Sequence, residues 1–198
     1  MIAMTTQLRE KDEAIVLPAP YRWMRQQYDQ MIEAGILDED DRVELINGEI
    51  VTVSPQQSPH ATGVTLVADE LRLAYSRDYT VRTQLPLVLD PDSEPEPDVA
   101  VVVGKPRDYL KAHPTTAILV VEVADTSLSK DRTEKVQLYA RHGISEYWIQ
   151  NVVDECLEVY RDPDPAGETY QTKLTLCRGD MITLPKGINA IEVADVLP

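Results

Sequence analysis

The sequence predicts an α/β (α+β) domain: a mixed central sheet flanked by helices, with an N-terminal helix and a β-hairpin added in front of it. Three observations carry this. Val99-Ala100-Val101-Val102-Val103 and Ile118-Leu119-Val120-Val121-Glu122-Val123 are short, rich in β-branched residues and apolar on both faces, as suits strands covered on two sides. Apolar residues recur at helical spacing over His60–Tyr75 and Lys130–His142. Asn47-Gly48 separates two alternating segments, the pattern of a two-residue type I′ hairpin.

Each element has its own local reason. Residues 1–17 show weak periodicity and read as an extension ahead of a single domain over residues 18–198. Pro18 and Pro20 punctuate the entry into a helix over Tyr21–Ala34, where Trp23, Met24, Tyr28, Met31 and Ile32 recur and Gly35 stops the pattern. The hairpin Val43–Val53 follows. Ser58 is expected as an N-cap and Pro59 as the first residue of a helix that runs to Tyr75 and buries Val64, Val67, Leu71 and Ala74. Short strands are expected at Tyr79–Thr83 and Leu85–Leu89, then an acidic, proline-rich loop over Asp90–Pro97. The apolar strand Val99–Val103 and the strand Ala117–Val123 are joined by a basic loop, and the helix Lys130–His142 ends at Gly143. Glu146–Val152, Cys156–Arg161, Thr169–Leu176 and Met181–Leu184 read as further strands.

Composition excludes several classes. At 198 residues, 43% hydrophobic and 27% charged, the chain has ordinary globular composition and enough length to bury a core. No apolar run approaches the ~20 residues that span a bilayer, so no membrane partner is expected. The first ten residues lack a basic start followed by an apolar stretch, and Cys156 and Cys177 follow no metal-ligand spacing; the expectation is a cytoplasmic protein without a disulfide framework. The net charge of −15 repels phosphates at long range and opposes tight DNA binding. The acidic excess gathers in Asp38-Glu39-Asp40-Asp41 and Asp90–Asp98, while basic residues gather locally, as in Lys130, Arg132 and Lys135.

Two acids stand out against apolar strands: Asp98 at the entry of one and Glu122 inside the other. An unpaired buried charge costs several kcal/mol, so each requires a partner, and a divalent cation is one. Neighbouring strands lie ~4.8 Å apart, so the two carboxylates converge if their strands pair in that register, with the Val123 carbonyl as a further oxygen ligand. A hard cation held there activates water and stabilises charge on a phosphoryl group, and a nearby lysine positions that water. Plainer roles compete: Asp98 as a strand-entry residue, Glu44 as a solvent-facing hairpin residue, Asp131 as a first-turn acid favoured by the helix dipole, and Tyr139 as core. His60 is either an exposed first-turn residue or a phosphate contact or proton shuttle.

Several segments taken together, in order and spacing, carry a resemblance. They are Arg42-Val43-Glu44-Leu45-Ile46-Asn47-Gly48-Glu49, Ser54-Pro55 with His60, Pro97-Asp98, Val121-Glu122-Val123-Ala124, Asp131…Lys135…Tyr139 and Gly143-Ile144-Ser145-Glu146-Tyr147-Trp148. Over nearly the whole chain this resembles the Uma2 (DUF820) family of restriction endonuclease-like proteins, within the PD-(D/E)xK nuclease superfamily. The resemblance implies a restriction endonuclease-like sheet and a Mg²⁺- or Mn²⁺-dependent endonuclease. By resemblance, Asp98 and Glu122 match the metal-binding acids, and Glu44 matches a hairpin glutamate that orders the metal or its water. Ala124 stands where the superfamily motif places its lysine; the resemblance implies that Lys135 on the following helix takes over, and the i, i+4, i+8 spacing of Asp131, Lys135 and Tyr139 puts all three near one face. DNA is the implied partner, and a homodimer follows by analogy with enzymes that cut two strands. A nuclease fold that no longer cleaves and serves as an interaction module, or a metal-dependent hydrolase of a small phosphoester, are the alternatives that the net charge favours.

Overall fold

The computed structural model describes residues 19–198 apart from 39 and 54; the expected extension over residues 1–17 and the motif residue Ser54 lie outside the described residues. Helix α1 (Arg25–Glu33) leads into a hairpin of β1 (Val43–Ile46) and β2 (Glu49–Thr52), then α2 (Ser58–Ala74). A six-stranded sheet follows, with β3 (Tyr79–Thr83), β4 (Val99–Val103), β5 (Leu119–Ala124), β6 (Glu146–Asn151), β7 (Cys156–Asp164) and β8 (Thr169–Cys177) side by side in chain order. A short pair, β9 (Met181–Leu184) with β10 (Ile188–Glu192), closes the chain. Every neighbouring pair in the large sheet is antiparallel except β5–β6. A parallel pair needs a crossover, and here it is helical: α3 (Leu128–Lys130), a π-helical turn over Asp131–Lys135, and α4 (Val136–Arg141).

Strand alternation assigns the two cores. Val99, Val101, Leu119, Val121 and Val123 pack beneath Val64, Val67 and Leu71 of α2, joined by Ile182, Ile191 and Val196 from the C-terminal elements. Ala100, Val102, Val120 and Ala124 face the other way, against Leu138, Tyr139 and Ala140 of α4. Each fully buried aliphatic side chain contributes about 1.5–3 kcal/mol, so the doubly covered β4 and β5 are the thermodynamic centre of the fold. The second core also holds Tyr147, Tyr160 and Tyr170 beside Tyr139. The chain has no Phe, so tyrosine supplies the volume and each hydroxyl finds an acceptor: Glu122, the Asp131 carbonyl, Glu158 and the Ile144 carbonyl.

The hairpin forms as the sequence predicts. Asn47 and Gly48 have φ of +50° and +75°, the two positive angles a type I′ turn demands. Gly143 at φ +66° follows α4 as expected.

Other expectations need correction. The N-terminal helix is shorter than Tyr21–Ala34 and buries only Tyr28; among the described residues no second layer covers Met24 and Ile32, which stay about half exposed. Ser58 lies inside α2, whose N-cap is Gln57, and Pro59 takes a first-turn position where its missing N–H costs nothing. Leu85–Leu89 is not a strand. The N–H groups of Leu87, Val88 and Leu89 donate to the carbonyls of Pro95, Pro114 and Ser93 at 2.9, 2.9 and 3.1 Å, and Pro86 has none to offer. Among the described residues, no helix is long and apolar enough to cross a membrane.

Candidate functional site

The β4–β5 ladder pairs Val99 with Val121 and Ala100 with Val120. Continuing that register by one residue sets Asp98 opposite Glu122, as the strand argument requires. The Asp98 N–H points at Glu122 Oε2 (3.4 Å), and the Val123 N–H donates to Asp98 Oδ2 (2.8 Å). Val123 therefore reaches Asp98 through its amide. Gln84 Nε2 donates to Asp98 Oδ1 at 3.1 Å, and His60 Nε2, from the first turn of α2, lies 3.2 Å from Asp98 Oδ2. The Nδ1 of His60 is buried with no hydrogen-bond partner among the described residues.

Glu44 turns inward. Simple alternation allows it a solvent-facing place, yet it is 4% exposed, because the segment before β4 lies over the hairpin and bridges Leu45 to Glu94. Its Oε2 accepts from the Glu96 N–H (3.2 Å) and from Lys135 Nζ (3.1 Å), while Lys130 Nζ stands 3.6 Å from Oε1. Lys135 is itself 5% exposed and also donates to Glu122 Oε1 at 3.0 Å, where the Tyr139 hydroxyl donates at 2.7 Å.

The π turn over Asp131–Lys135 makes this convergence possible. An i to i+5 turn carries one residue more than an α turn and re-aims the side chains on it. Asp131 and Lys135 are both buried on the same side, toward the cleft. The Asp131 carboxylate accepts from the Ser127 hydroxyl at 2.5 Å, and its backbone carbonyl accepts from Tyr147 at 3.2 Å. The dipole-favoured first-turn role for Asp131 is thus replaced by a buried one.

These groups border one cleft of about 300 Å³. Glu44, Glu96, Asp98, Glu122, Asp125 and Asp131 line it, faced by Lys130, Lys135 and His60. Burial and the charges of Asp98, Asp131 and Glu44 push the Glu122 carboxyl up, to about 7, against the pull of Lys135. Burial disfavours the Lys135 ammonium, but Glu122, Glu44 and Asp131 outweigh it and hold the lysine charged. Glu44 goes the opposite way from Glu122: burial would raise it, and Lys135 and Lys130 bring it below the ordinary carboxylate range. Burial would lower His60, but its bond to Asp98 raises it. The site therefore carries more negative charge than its own cations neutralise.

The donor chemistry fits a hard divalent cation: carboxylate and carbonyl oxygens, with negative charge to spare. Among the described residues no group of three or more His, Cys, Asp or Glu side chains is placed to hold a metal ion. Mg²⁺ is commonly held by one or two carboxylates, with water and substrate phosphate completing its shell, which Asp98 and Glu122 match.

All seven side chains singled out from sequence, Glu44, His60, Asp98, Glu122, Asp131, Lys135 and Tyr139, meet at or behind this cleft. Sequence reasoning missed Gln84, Glu96 and Ser127. Only Ser127 leaves a local signal, four residues before Asp131; the other two arrive through long-range loop packing.

The mixed sheet with its flanking helices has a nuclease-like fold, as comparison with a solved structure shows. A crystal structure of "a putative nuclease belonging to DUF820" from Anabaena variabilis superposes with a TM-score of 0.67 at 16% identity, covering 83% of this chain and 94% of that one. The family described as "Uma2: Putative restriction endonuclease" matches residues 25–196, and the chain belongs to that family. No curated protein matches the chain.

Proposed function

We propose that the chain is a Mg²⁺- or Mn²⁺-dependent nuclease that hydrolyses phosphodiester bonds in nucleic acid, with DNA the first substrate to test. The observation that carries this reading is the Lys135 ammonium, fixed 3.0 Å from Glu122 and 3.1 Å from Glu44 beside Asp98 in one cleft. The family's description and the nuclease title of the Anabaena structure support it. In this reading the carboxylates of Asp98 and Glu122, with the carbonyl of Val123, hold the ion. When bound, such an ion activates water and stabilises charge on the phosphoryl oxygens.

The chain's own residues do the rest. Glu44 anchors Lys135, so the ammonium keeps one position, orients the attacking water and offsets developing negative charge. Tyr139 fixes the rotamer of Glu122. Asp131, tied to Ser127, adds negative charge that keeps Lys135 protonated. In this reading His60, which lines the cleft 3.2 Å from Asp98, would give up that contact to meet a phosphate oxygen or hand a proton to the leaving oxygen. Two copies of the chain acting together would account for cutting both strands of a duplex. The net charge of −15 and the six carboxylates of the cleft favour, as a second reading, hydrolysis of a small phosphoester.

Calorimetric titration with Mn²⁺, on the chain and on Asp98→Ala, tests the site, and nicking of supercoiled plasmid and single-stranded DNA tests the substrate. Binding that disappears in Asp98→Ala, with nicking lost in Glu122→Ala, is the expected result. Absence of binding at millimolar Mn²⁺ overturns both readings; binding without nicking leaves the small phosphoester, and nicking that survives Glu122→Ala places the chemistry elsewhere.

A further inference from the structure

Away from the cleft, Cys156 opens β7 and Cys177 closes β8, and the antiparallel register pairs them directly. Both thiols are free. Facing residues of an antiparallel pair have Cα atoms about 4.5–5.5 Å apart and side chains on the same face. A disulfide requires a Cα separation of about 4.4–6.8 Å, so the backbone is already in range. The two thiols differ in access: Cys177 is exposed and Cys156 is buried. Among the described residues β8 is an edge strand, paired on one side, and the cysteines sit at the end of the β7–β8 hairpin opposite its turn.

We propose that Cys156 and Cys177 form a thiol modification site, in which a peroxide converts the pair into a cross-strand disulfide. This inference is independent of the nuclease reading. The exposed Cys177 thiolate attacks hydrogen peroxide, breaking the O–O bond; the sulfur becomes a sulfenic acid and hydroxide departs. Cys156, deprotonated as it reacts, attacks the Cys177 sulfur; the S–S bond forms, the S–O bond breaks and a second hydroxide leaves. The two thiol protons convert both hydroxides to water, so two thiols are oxidised and one peroxide is reduced. Burial, with Glu158, Asp154 and Cys177 nearby, pushes the Cys156 thiol up and keeps it protonated, which assigns first attack to Cys177.

The tie has a structural consequence. Cys156 is two residues from Glu158, whose buried carboxylate holds Lys173 of β8 at 2.9 Å and Arg132 of the π turn. Oxidation would clamp the edge strand next to that anchor.

The test treats the full chain with hydrogen peroxide, maps peptides without reduction, and follows backbone hydrogen exchange. The expected result is a monomer containing a linked Cys156–Cys177 peptide, with exchange at the C-terminal end of β8 slowed about tenfold and restored by dithiothreitol. In Cys177→Ser no link forms and peroxide leaves the exchange unchanged; this exposed position keeps the test open even where Cys156→Ala fails to fold. A Cys177 sulfinic acid with Cys156 still reduced, or a Cys177–Cys177 link between two chains, overturns the proposal.

Discussion

Asp98 and Glu122 are tied across the β4–β5 register. The amide of Asp98 faces a carboxylate oxygen of Glu122, and the amide that follows Glu122 donates to a carboxylate oxygen of Asp98. Neither acid can turn away without giving up a backbone contact, so the negative edge of the cleft is built into the sheet itself. The cations opposite it come from separate elements, and the predictions follow from that division.

Lys135→Gln removes the ammonium that Glu44 and Glu122 share. Breaking a buried pair by deleting one partner costs about 3–5 kcal/mol, because the remaining charges stay buried. The variant should melt well below the parent in buffer, and Mn²⁺ should raise its Tm by more than it raises the parent's, since an added cation can occupy the charge left behind. Equal Mn²⁺ shifts in the two proteins would show that the carboxylates do not bind the ion.

Tyr139→Phe keeps the ring and deletes the 2.7 Å hydroxyl contact to Glu122. Urea unfolding should show a loss of about 1–2 kcal/mol. Nicking activity should fall further than folding does, because Glu122 loses the group that orients it. Unchanged nicking in a folded variant would reduce Tyr139 to core volume.

Glu158 gives the pH signature of the sheet edge. It is 1% exposed; burial alone would raise its carboxyl, but bonds from Arg132, Lys173 and Tyr160 hold it at about 2, against 4.5 ordinarily. A carboxyl lowered by folding stabilises the protein above its unfolded pKa, and that stability is lost as pH falls toward the folded one. The Glu158→Gln variant should therefore be less stable than the parent at pH 7 by about 1–2 kcal/mol, a modest value because both cations reach solvent. The difference should shrink between pH 5 and about pH 2. Urea midpoints at pH 7, 4 and 2.5 check it; a gap that does not close with acid removes Glu158 from the account.

Gly48→Ala tests the hairpin that carries Glu44. Gly48 has φ +75°, and a Cβ there would meet Arg22 Cβ at 2.9 Å and Arg22 Cα at 3.2 Å. Left-handed strain and backbone crowding together should cost about 1–3 kcal/mol. Displacing the hairpin should also weaken the Glu44–Lys135 contact, seen as lower nicking at a temperature where the variant is still folded.

What the sequence made legible is what local chemistry dictates. Asn47-Gly48 can hardly do anything but turn, the β-branched runs of β4 and β5 are strands by composition, and an acid at the entry of the first and one inside the second ask for partners. Glu44, by contrast, points inward only because the segment before β4 lies over its hairpin, which no pattern around residue 44 encodes. Leu85–Leu89 has strand composition but spends its N–H groups on the carbonyls of Ser93, Pro95 and Pro114. The i, i+4, i+8 spacing brought Asp131, Lys135 and Tyr139 to one side correctly, although the turn between the first two is a π turn and not the α-helix on which that spacing was counted.

That turn separates two demands that a uniform helix would have to meet with a single phase. Up to its first residue, Ser127 and Asp131 follow the cleft; after it, Val136, Leu138 and Ala140 follow the core beneath α4. The extra residue works as a phase shift between chemistry and packing. Deleting one residue from Arg132-Thr133-Glu134 would restore an even helical repeat and rotate one half against the other by about 100°. Either Asp131 would leave the cleft, or Lys135 and Leu138 would together turn away from the cleft and the core. Length is a constraint on this segment in addition to the identities of Asp131, Arg132 and Lys135, and substitutions at the exposed Thr133 should be tolerated where no deletion is.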